Sequence, residues 1–236
     1  MTSGSTRLRP LALEATLEPA ISASLNEGVR DGAPEVVRSR FKRSFDFAVA
    51  SLMVVLLSPL LVLIGLAIVL ESGWPPAFLQ MRYGLYGKPF QLWKFRTMVN
   101  GAHEMREELL AANEAPFPAF KVRQDPRITR LGRFLRRSSL DELPQLWNVI
   151  RGEMSLVGPR PPLPEEVSHY DETSLGRLRT RPGLTCVWQV ENRNRSAIPF
   201  AEWVRMDLEY IAKWSPRLDL VILWRTALAV LRMTGT

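Results

Sequence analysis

The chain is poor in the side chains that most often hold metals or cross-link a fold. Its 236 residues include one cysteine, Cys186, and two histidines, His103 and His169. A single cysteine excludes an intrachain disulfide and a cysteine-based zinc site, and it fits a reducing cytoplasm. The histidines stand far apart in sequence, so each reads as a surface or core residue and not as half of a metal site. The first residues hold no short apolar run with a cleavage site, so no signal peptide is expected. No recognisable nucleic-acid-binding module is present either.

Charge is missing where it matters most. Phe47 to Leu70 is a run of 24 residues without a formal charge, rich in Val, Leu and Ile. As a helix it would reach roughly 36 Å, enough to cross a hydrocarbon core of about 30 Å. A single span is therefore one reading. Ser58-Pro59 in the middle favours another. Pro59 lacks an N–H and crowds the Val55 carbonyl, so a kink is expected there, leaving two arms each too short to span. The Ser58 hydroxyl is placed to satisfy backbone groups that the kink frees. Lys42 and Arg43 precede the run and Arg82, Lys88, Lys94 and Arg96 follow it. Positive charge marks the cytoplasmic side, and here both flanks carry it. A re-entrant helix that enters, bends and leaves on one face accounts for both signals.

Hydrophobic residues make up 46% of the chain and the net charge is +7. The positive excess lies after residue 71, which suggests an anionic partner: nucleic acid, phospholipid headgroups or a phosphorylated substrate. Residues 1–37 mix small and polar residues with balanced charge and read as a mobile tail, with a short helix around Leu11–Leu17. Residues 38–71 are a basic lead-in, suited to anionic headgroups, followed by the membrane helix. Residues 72–236 read as one cytosolic domain. Within it Ala77–Arg82 and Pro89–Thr97 predict a hairpin, Gly101–Asn113 a charged helix, and Trp203–Lys213 and Leu218–Leu231 two C-terminal helices. The last of these suits either a core or a membrane surface. The expected fold is mainly α with a small β-hairpin (α+β), anchored by the re-entrant helix.

Residues 121–137 carry seven basic side chains against one acid, Asp125, with Ile128, Leu131, Phe134 and Leu135 at helical spacing. Directly after them stand Asp141 and Glu142. Ser139 as an N-cap with two acids in the first turn would explain that pair plainly. It would not explain arginines converging from three segments, Arg136, Arg160 and Arg193.

Several blocks in order, Lys42-Arg43-Ser44-Phe45-Asp46, Ser58-Pro59, Lys94-Phe95-Arg96-Thr97-Met98, Asp141-Glu142-Leu143-Pro144-Gln145, Val157-Gly158-Pro159-Arg160-Pro161 and Arg181-Pro182-Gly183-Leu184-Thr185, closely resemble the bacterial sugar transferases. These are monotopic phosphoglycosyl transferases, and the likeness covers about residues 40–234, in the short form without extra N-terminal membrane helices. The resemblance implies a re-entrant anchor in the bacterial inner membrane and a catalytic domain on its cytoplasmic face. It implies transfer of a sugar phosphate from a nucleotide diphosphate sugar, expected to be a UDP-sugar, to polyprenyl (undecaprenyl) phosphate with Mg²⁺, opening exopolysaccharide or other glycan assembly. By the same likeness Asp141 is the nucleophile, Glu142 helps to hold Mg²⁺ or to orient the site, and Asp141 and Glu142 together are the candidate Mg²⁺ residues. Arg136, Arg160 and Arg193 are candidate phosphate clamps, since guanidinium forks match phosphate oxygens in pairs. Lys94 and Arg96 join them as candidates for substrate, with lipid headgroups or the fold itself as alternatives. Asn192 stands where the commoner family form has glycine, which bears on the loop and on sugar preference. Asp207 has no assigned role. The competing reading is a membrane-anchored basic scaffold or nucleic-acid-binding protein without catalysis.

Overall fold

The computed structural model describes residues 33–102, 104–106, 109, 122, 125–191 and 199–232. The tail helix around Leu11–Leu17, most of the expected helix Gly101–Asn113, and Arg193 lie outside them. Of that charged stretch the structure describes a single 3-10 turn, Glu104–Arg106.

Helix α1, Arg40–Ser72, is 33 residues long and runs on through Pro59. Ser39 caps its start by accepting from the Lys42 amide at 3.2 Å, and Gly73, at φ +84°, ends it. At Pro59 one ladder bond is missing, and the Ser58 hydroxyl donates to the Val55 carbonyl at 2.8 Å. Among the described residues this is the one helix long and apolar enough to cross a membrane, with a mean hydropathy of 3.0 over its most apolar stretch.

The two ends of α1 rest on the same domain. Near the start, Ala50 is buried in the main core with Leu146, Val149, Met154 and Leu156. Near the finish, Ile64 and Ile68 pack with Phe95 and Leu135. Between them Leu52, Val55, Leu56, Leu60, Val62 and Leu63 are exposed. Polar clasps fix each end. Lys42 meets Asp219 at 2.6 Å, and that carboxylate also accepts from Tyr210 and Trp214. Asp46 accepts from Ser155 at 2.7 Å. Arg43 donates to the carbonyls of Val149 and Ile150 at 2.7 and 2.8 Å. At the far end Arg96 closes on the carbonyls of Ser72 and Gly73, and Glu71 accepts from the Leu131 amide at 3.0 Å. The lead-in thus differs from its expected role: Arg38 and Arg40 are exposed, but Lys42 is buried and the Arg43 guanidinium is spent on backbone. Their charges hold the helix to the domain.

Strands β1, Ala77–Tyr83, and β2, Pro89–Phe95, form the expected antiparallel hairpin, with Ala77 opposite Phe95 and Tyr83 opposite Pro89. Helix α2, Arg130–Ser138, follows, capped by Thr129, whose hydroxyl accepts from the Gly132 amide at 2.9 Å. Arg127, part of the basic stretch 121–137, precedes the helix in a buried pair with Asp125 at 2.6 Å. A 3-10 turn, Leu140–Gln145, leads into α3, Leu146–Arg151. Ser139 makes no side-chain cap. It sits in the left-handed region at φ 57°, at the junction of α2 and the turn.

A second sheet escaped the sequence pattern. Strands β3, Ser155–Val157, and β4, Gly183–Thr185, pair in parallel. Their glycines are required by the close approach of two backbones. A Cβ on Gly183 would strike the Gly158 backbone, and one on Gly158 would strike the Arg181 carbonyl. Helix α4, Val187–Glu191, and the long helices α5, Phe200–Ala212, and α6, Pro216–Leu231, complete the described chain. The inner face of α6 buries Asp219, Ile222 and Ala229, while Leu220, Trp224 and Leu231 face outward.

Candidate active site

The site is built on four neighbouring segments: the end of β2, helix α2, the 3-10 turn and the loop after β3. Gly132 allows α2 to lie directly on the backbone of Thr97, since a Cβ there would collide with the Thr97 carbonyl. That contact carries Arg136 to Thr97, and its Nε donates to the Thr97 hydroxyl at 2.9 Å. The turn that follows is pinned to β2 by Asn148. This fully buried amide accepts from the Trp93 amide at 3.1 Å and donates to the Gln91 carbonyl at 2.7 Å. The lock sets Glu142 against Lys94, with Nζ and Oε1 at 2.9 Å.

Asp141 lies beside this pair, half-buried. Burial, and next the negative charge of Glu142, push its carboxyl up to about 6, while Lys94 and Arg136 pull the other way. Burial draws Arg136 below its ordinary value, offset by the charge of Asp141. The result is a carboxylate with raised basicity, held between a lysine, an arginine and a second carboxylate. Strongly perturbed acids flanked by cations are characteristic of reacting sites.

Arg160 stands on the loop after β3, and its Nη1 meets Glu166 at 3.3 Å. Burial opposes a charge on Glu166, yet Arg160 and then Arg82 hold it below the usual carboxylate range. The loop is braced from two sides. Arg82 donates to the Pro161 carbonyl at 2.8 Å, and the Tyr83 amide donates to Pro162 at 3.2 Å. From the other side Arg177, paired with Asp207 at 2.8 Å, reaches the Arg160 carbonyl at 3.5 Å.

The structure therefore brings Asp141, Glu142, Lys94 and Arg136 together, and sets Arg160 on an adjoining braced loop. Arg96 lies apart, its guanidinium directed to the end of α1. Ser58 and Pro59 are remote in the exposed middle of α1. Sequence reasoning passed over Arg82, Thr97, Asn148, Glu166 and Arg177, and left Asp207 unassigned. Most act through partners far along the chain, as Asp207 and Arg177 do, 30 residues apart, and Glu166 is the exception, paired with Arg160 six residues away.

An open apolar groove of about 590 Å³ adjoins the site. Leu61, Gly65 and Val69 of α1 form one wall, and Trp74, Trp93 and Pro144 close the other side. Pro144, three residues after Asp141, lines the groove, whereas Trp93 and Lys94, consecutive in β2, point to opposite faces of the hairpin.

Residues 37–233 match the family model described as bacterial sugar transferase. The exopolysaccharide production protein ExoY of Rhizobium meliloti is 41% identical over 209 residues, covering 87% of this chain and 92% of that protein. The UDP-glucose:undecaprenyl-phosphate glucose-1-phosphate transferase of Caulobacter vibrioides is 42% identical over 205 residues, covering 84% of this chain and 72% of its own. The undecaprenyl-phosphate galactose phosphotransferase of Salmonella typhimurium is 41% identical over 202 residues, 84% of this chain but 42% of that longer protein. With the acid pair, the flanking cations and the apolar helix in place, this chain belongs to the bacterial sugar transferase family.

Proposed function

We propose that the protein is a phosphoglycosyl transferase of exopolysaccharide or related glycan assembly, acting in two steps through Asp141. In the first, an Asp141 carboxylate oxygen attacks the phosphorus that bears the sugar in a nucleotide diphosphate sugar. The bond from that phosphorus to the bridging oxygen breaks, and a nucleoside monophosphate leaves with the electron pair. In the second, a phosphate oxygen of polyprenyl phosphate attacks the same phosphorus and the carboxylate departs, leaving a polyprenyl diphosphate sugar. Splitting one transfer into two easier displacements is the usual advantage of a covalent nucleophile.

The observation that carries this reading is Asp141 itself, basic for a carboxyl group and pressed between Lys94, Arg136 and Glu142. An anionic nucleophile can approach an anionic phosphate only where cations offset both charges. Lys94 and Arg136 supply two, and Arg160 a third on the adjoining loop. A non-catalytic scaffold gives no reason to hold a destabilised carboxylate in such a place.

Asp141 and Glu142 also fit Mg²⁺. They are adjacent carboxylates whose mutual repulsion a divalent cation relieves, and Mg²⁺ is ordinarily held by one or two carboxylates plus substrate phosphates. When bound, it would neutralise charge on the transferring phosphate. Among the described residues no cluster of three or more acid, His or Cys side chains exists, so substrate oxygens would complete its shell.

The apolar groove suits the isoprenoid chain of the acceptor, delivering its phosphate beside Asp141. The clasping of both ends of α1 to one domain supports a re-entrant course, and the basic flanks support a domain on the cytoplasmic face of the inner membrane. A straight span would carry one end about 30 Å away from that surface.

The deciding experiment omits the lipid acceptor. Purified protein with Mg²⁺ and its UDP-sugar should release nucleoside monophosphate at about one per active site, and intact mass should show a bound sugar phosphate. Asp141→Asn should do neither. If the true donor releases nucleotide only after lipid is added, and no adduct forms, transfer is direct and the two-step reading is overturned.

A further inference from the structure

Four arginines are buried among the described residues: Arg82, Arg96, Arg127 and Arg177. Buried guanidinium groups are ordinarily paired, because removing a charge from water is costly unless an opposite charge meets it. Two obey this rule outright: Arg127 pairs with Asp125 and Arg177 with Asp207. Arg96 forms no ion pair and its Nε is likewise buried without an acceptor, but its guanidinium closes on the carbonyl end of α1, where the helix dipole is negative. Arg82 has neither a partner charge nor a helix end. It is 5% exposed, forms no ion pair, and donates only to two neutral oxygens, the Pro161 carbonyl at 2.8 Å and Gln80 Oε1 at 2.7 Å. Its Nε is buried without an acceptor.

The surroundings make the deficit worse. Burial, with the charge of Arg160 next, pulls the Arg82 guanidinium down to about 9. Glu166, Glu142 and Glu165 offset this in part. Glu166 is already committed to Arg160 and to the Leu163 amide, and Glu142 to Lys94. One buried cation is therefore left over, bonded to the carbonyl next to Arg160 and within the electrostatic reach of Glu142.

We propose that Arg82 is a substrate-binding residue and that its missing counter-charge is a phosphate of the nucleotide donor, held jointly with Arg160. This rests on the donor class proposed above and adds the residue and the position. Arg82 bonds the carbonyl that follows Arg160, and both guanidinium groups act on Glu166, so the two are neighbours. Lys94 and Arg136 act on Asp141, so in this proposal they meet the phosphate under attack, and Arg82 and Arg160 meet the phosphate that departs with the nucleoside. A fork that binds the departing phosphate also stabilises the charge that grows there as the bridging bond breaks.

The test uses the full chain in lipid nanodiscs without acceptor lipid, and inorganic pyrophosphate as the probe. Arg82→Met should fold with a melting temperature at or above wild type, since it removes an unmatched buried charge. It should bind pyrophosphate roughly 10–100-fold more weakly, the loss expected for a charge-assisted hydrogen-bonded contact. In turnover, KM for the nucleotide sugar should rise while KM for the lipid stays put. Arg82→Lys keeps the charge but loses the fork, and should fold and bind at least about tenfold more weakly. Unchanged pyrophosphate affinity in either variant would overturn the proposal. So would unfolding of Arg82→Met, because it would show that the charge is structural and already compensated. Should wild type form the Asp141 adduct while Arg82→Met binds pyrophosphate normally, this inference fails alone. Should wild type neither bind pyrophosphate nor release nucleotide from any sugar nucleotide, both readings fall.

Discussion

Asp141 is held where its anion, the form its proposed work needs, is disfavoured. Burial and Glu142 raise its carboxyl to about 6, above the ordinary aspartate value of 3.8. The sign of the linkage is the reverse of a salt-bridged acid. Between about pH 4 and 6 the folded protein holds a proton that the unfolded chain has released. The penalty is absent below pH 4 and fully incurred above about 6. Asp141→Asn should therefore raise stability at pH 7, with a chelator present, by on the order of 1–3 kcal/mol, and change little at pH 4. Denaturant midpoints of the two proteins at both pH values check this, and equal stability at pH 7 would mean that Asp141 is not under strain. The same shift predicts the rate of nucleotide release. Attack needs the anion, so the rate should fall as pH drops through the Asp141 titration, and Mg²⁺ held by the pair should bring that inflection below the metal-free value of about 6. Lys94→Met removes the cation nearest the pair and should move that inflection upward.

Elements place these side chains more than their own sequences do. Helix α2 reaches the site because Gly132 lets two backbones touch, and the helix then delivers Arg136 to Thr97. Gly132→Ala should cost roughly 1–3 kcal/mol, the usual penalty for forcing a methyl group into a filled contact. Its effect on turnover should be larger than its effect on folding, since Arg136 and the acid turn move together. A melting curve and a donor-release assay on one preparation separate the two. An alanine variant as active and stable as wild type would remove the close approach from the account. The paired glycines of β3 and β4 act in the same way on the far side, where Gly158 and Gly183 let the Arg160 loop lie against β4.

At the scale of the whole molecule, the clasps at the two ends of α1 fix the apolar helix to the domain. Lys42, Arg43 and Asp46 hold one end and Arg96 and Glu71 the other, leaving the middle around Pro59 bare. The anchor cannot swing independently of the site it borders. Cysteines at two exposed positions flanking it, Arg38→Cys and Trp74→Cys, can be tested separately in a Cys186→Ser background. In intact cells a membrane-impermeant thiol reagent should label neither, and both should react after lysis. Labelling of one from outside would establish a span.

The linear chain alone specified the apolar helix, the hairpin, the acid pair and the family, because each is carried by residues adjacent in sequence or at a fixed period. Hydrophobic runs, turn residues and motif blocks are local facts. Tertiary structure decided which charges are used for binding and which for building. Lys42, Arg96 and Arg127 looked like the other basic residues of a basic chain, yet folding spends them on Asp219, the end of α1 and Asp125. Arg82, one arginine in a strand, became the unmatched buried cation only when β1 met the loop after β3. The parallel pairing of three-residue strands β3 and β4 was likewise hidden, since neither is long enough to show a period. The physical reason is the same throughout. Desolvation and pairing depend on what lies across space, and a sequence records only what lies alongside.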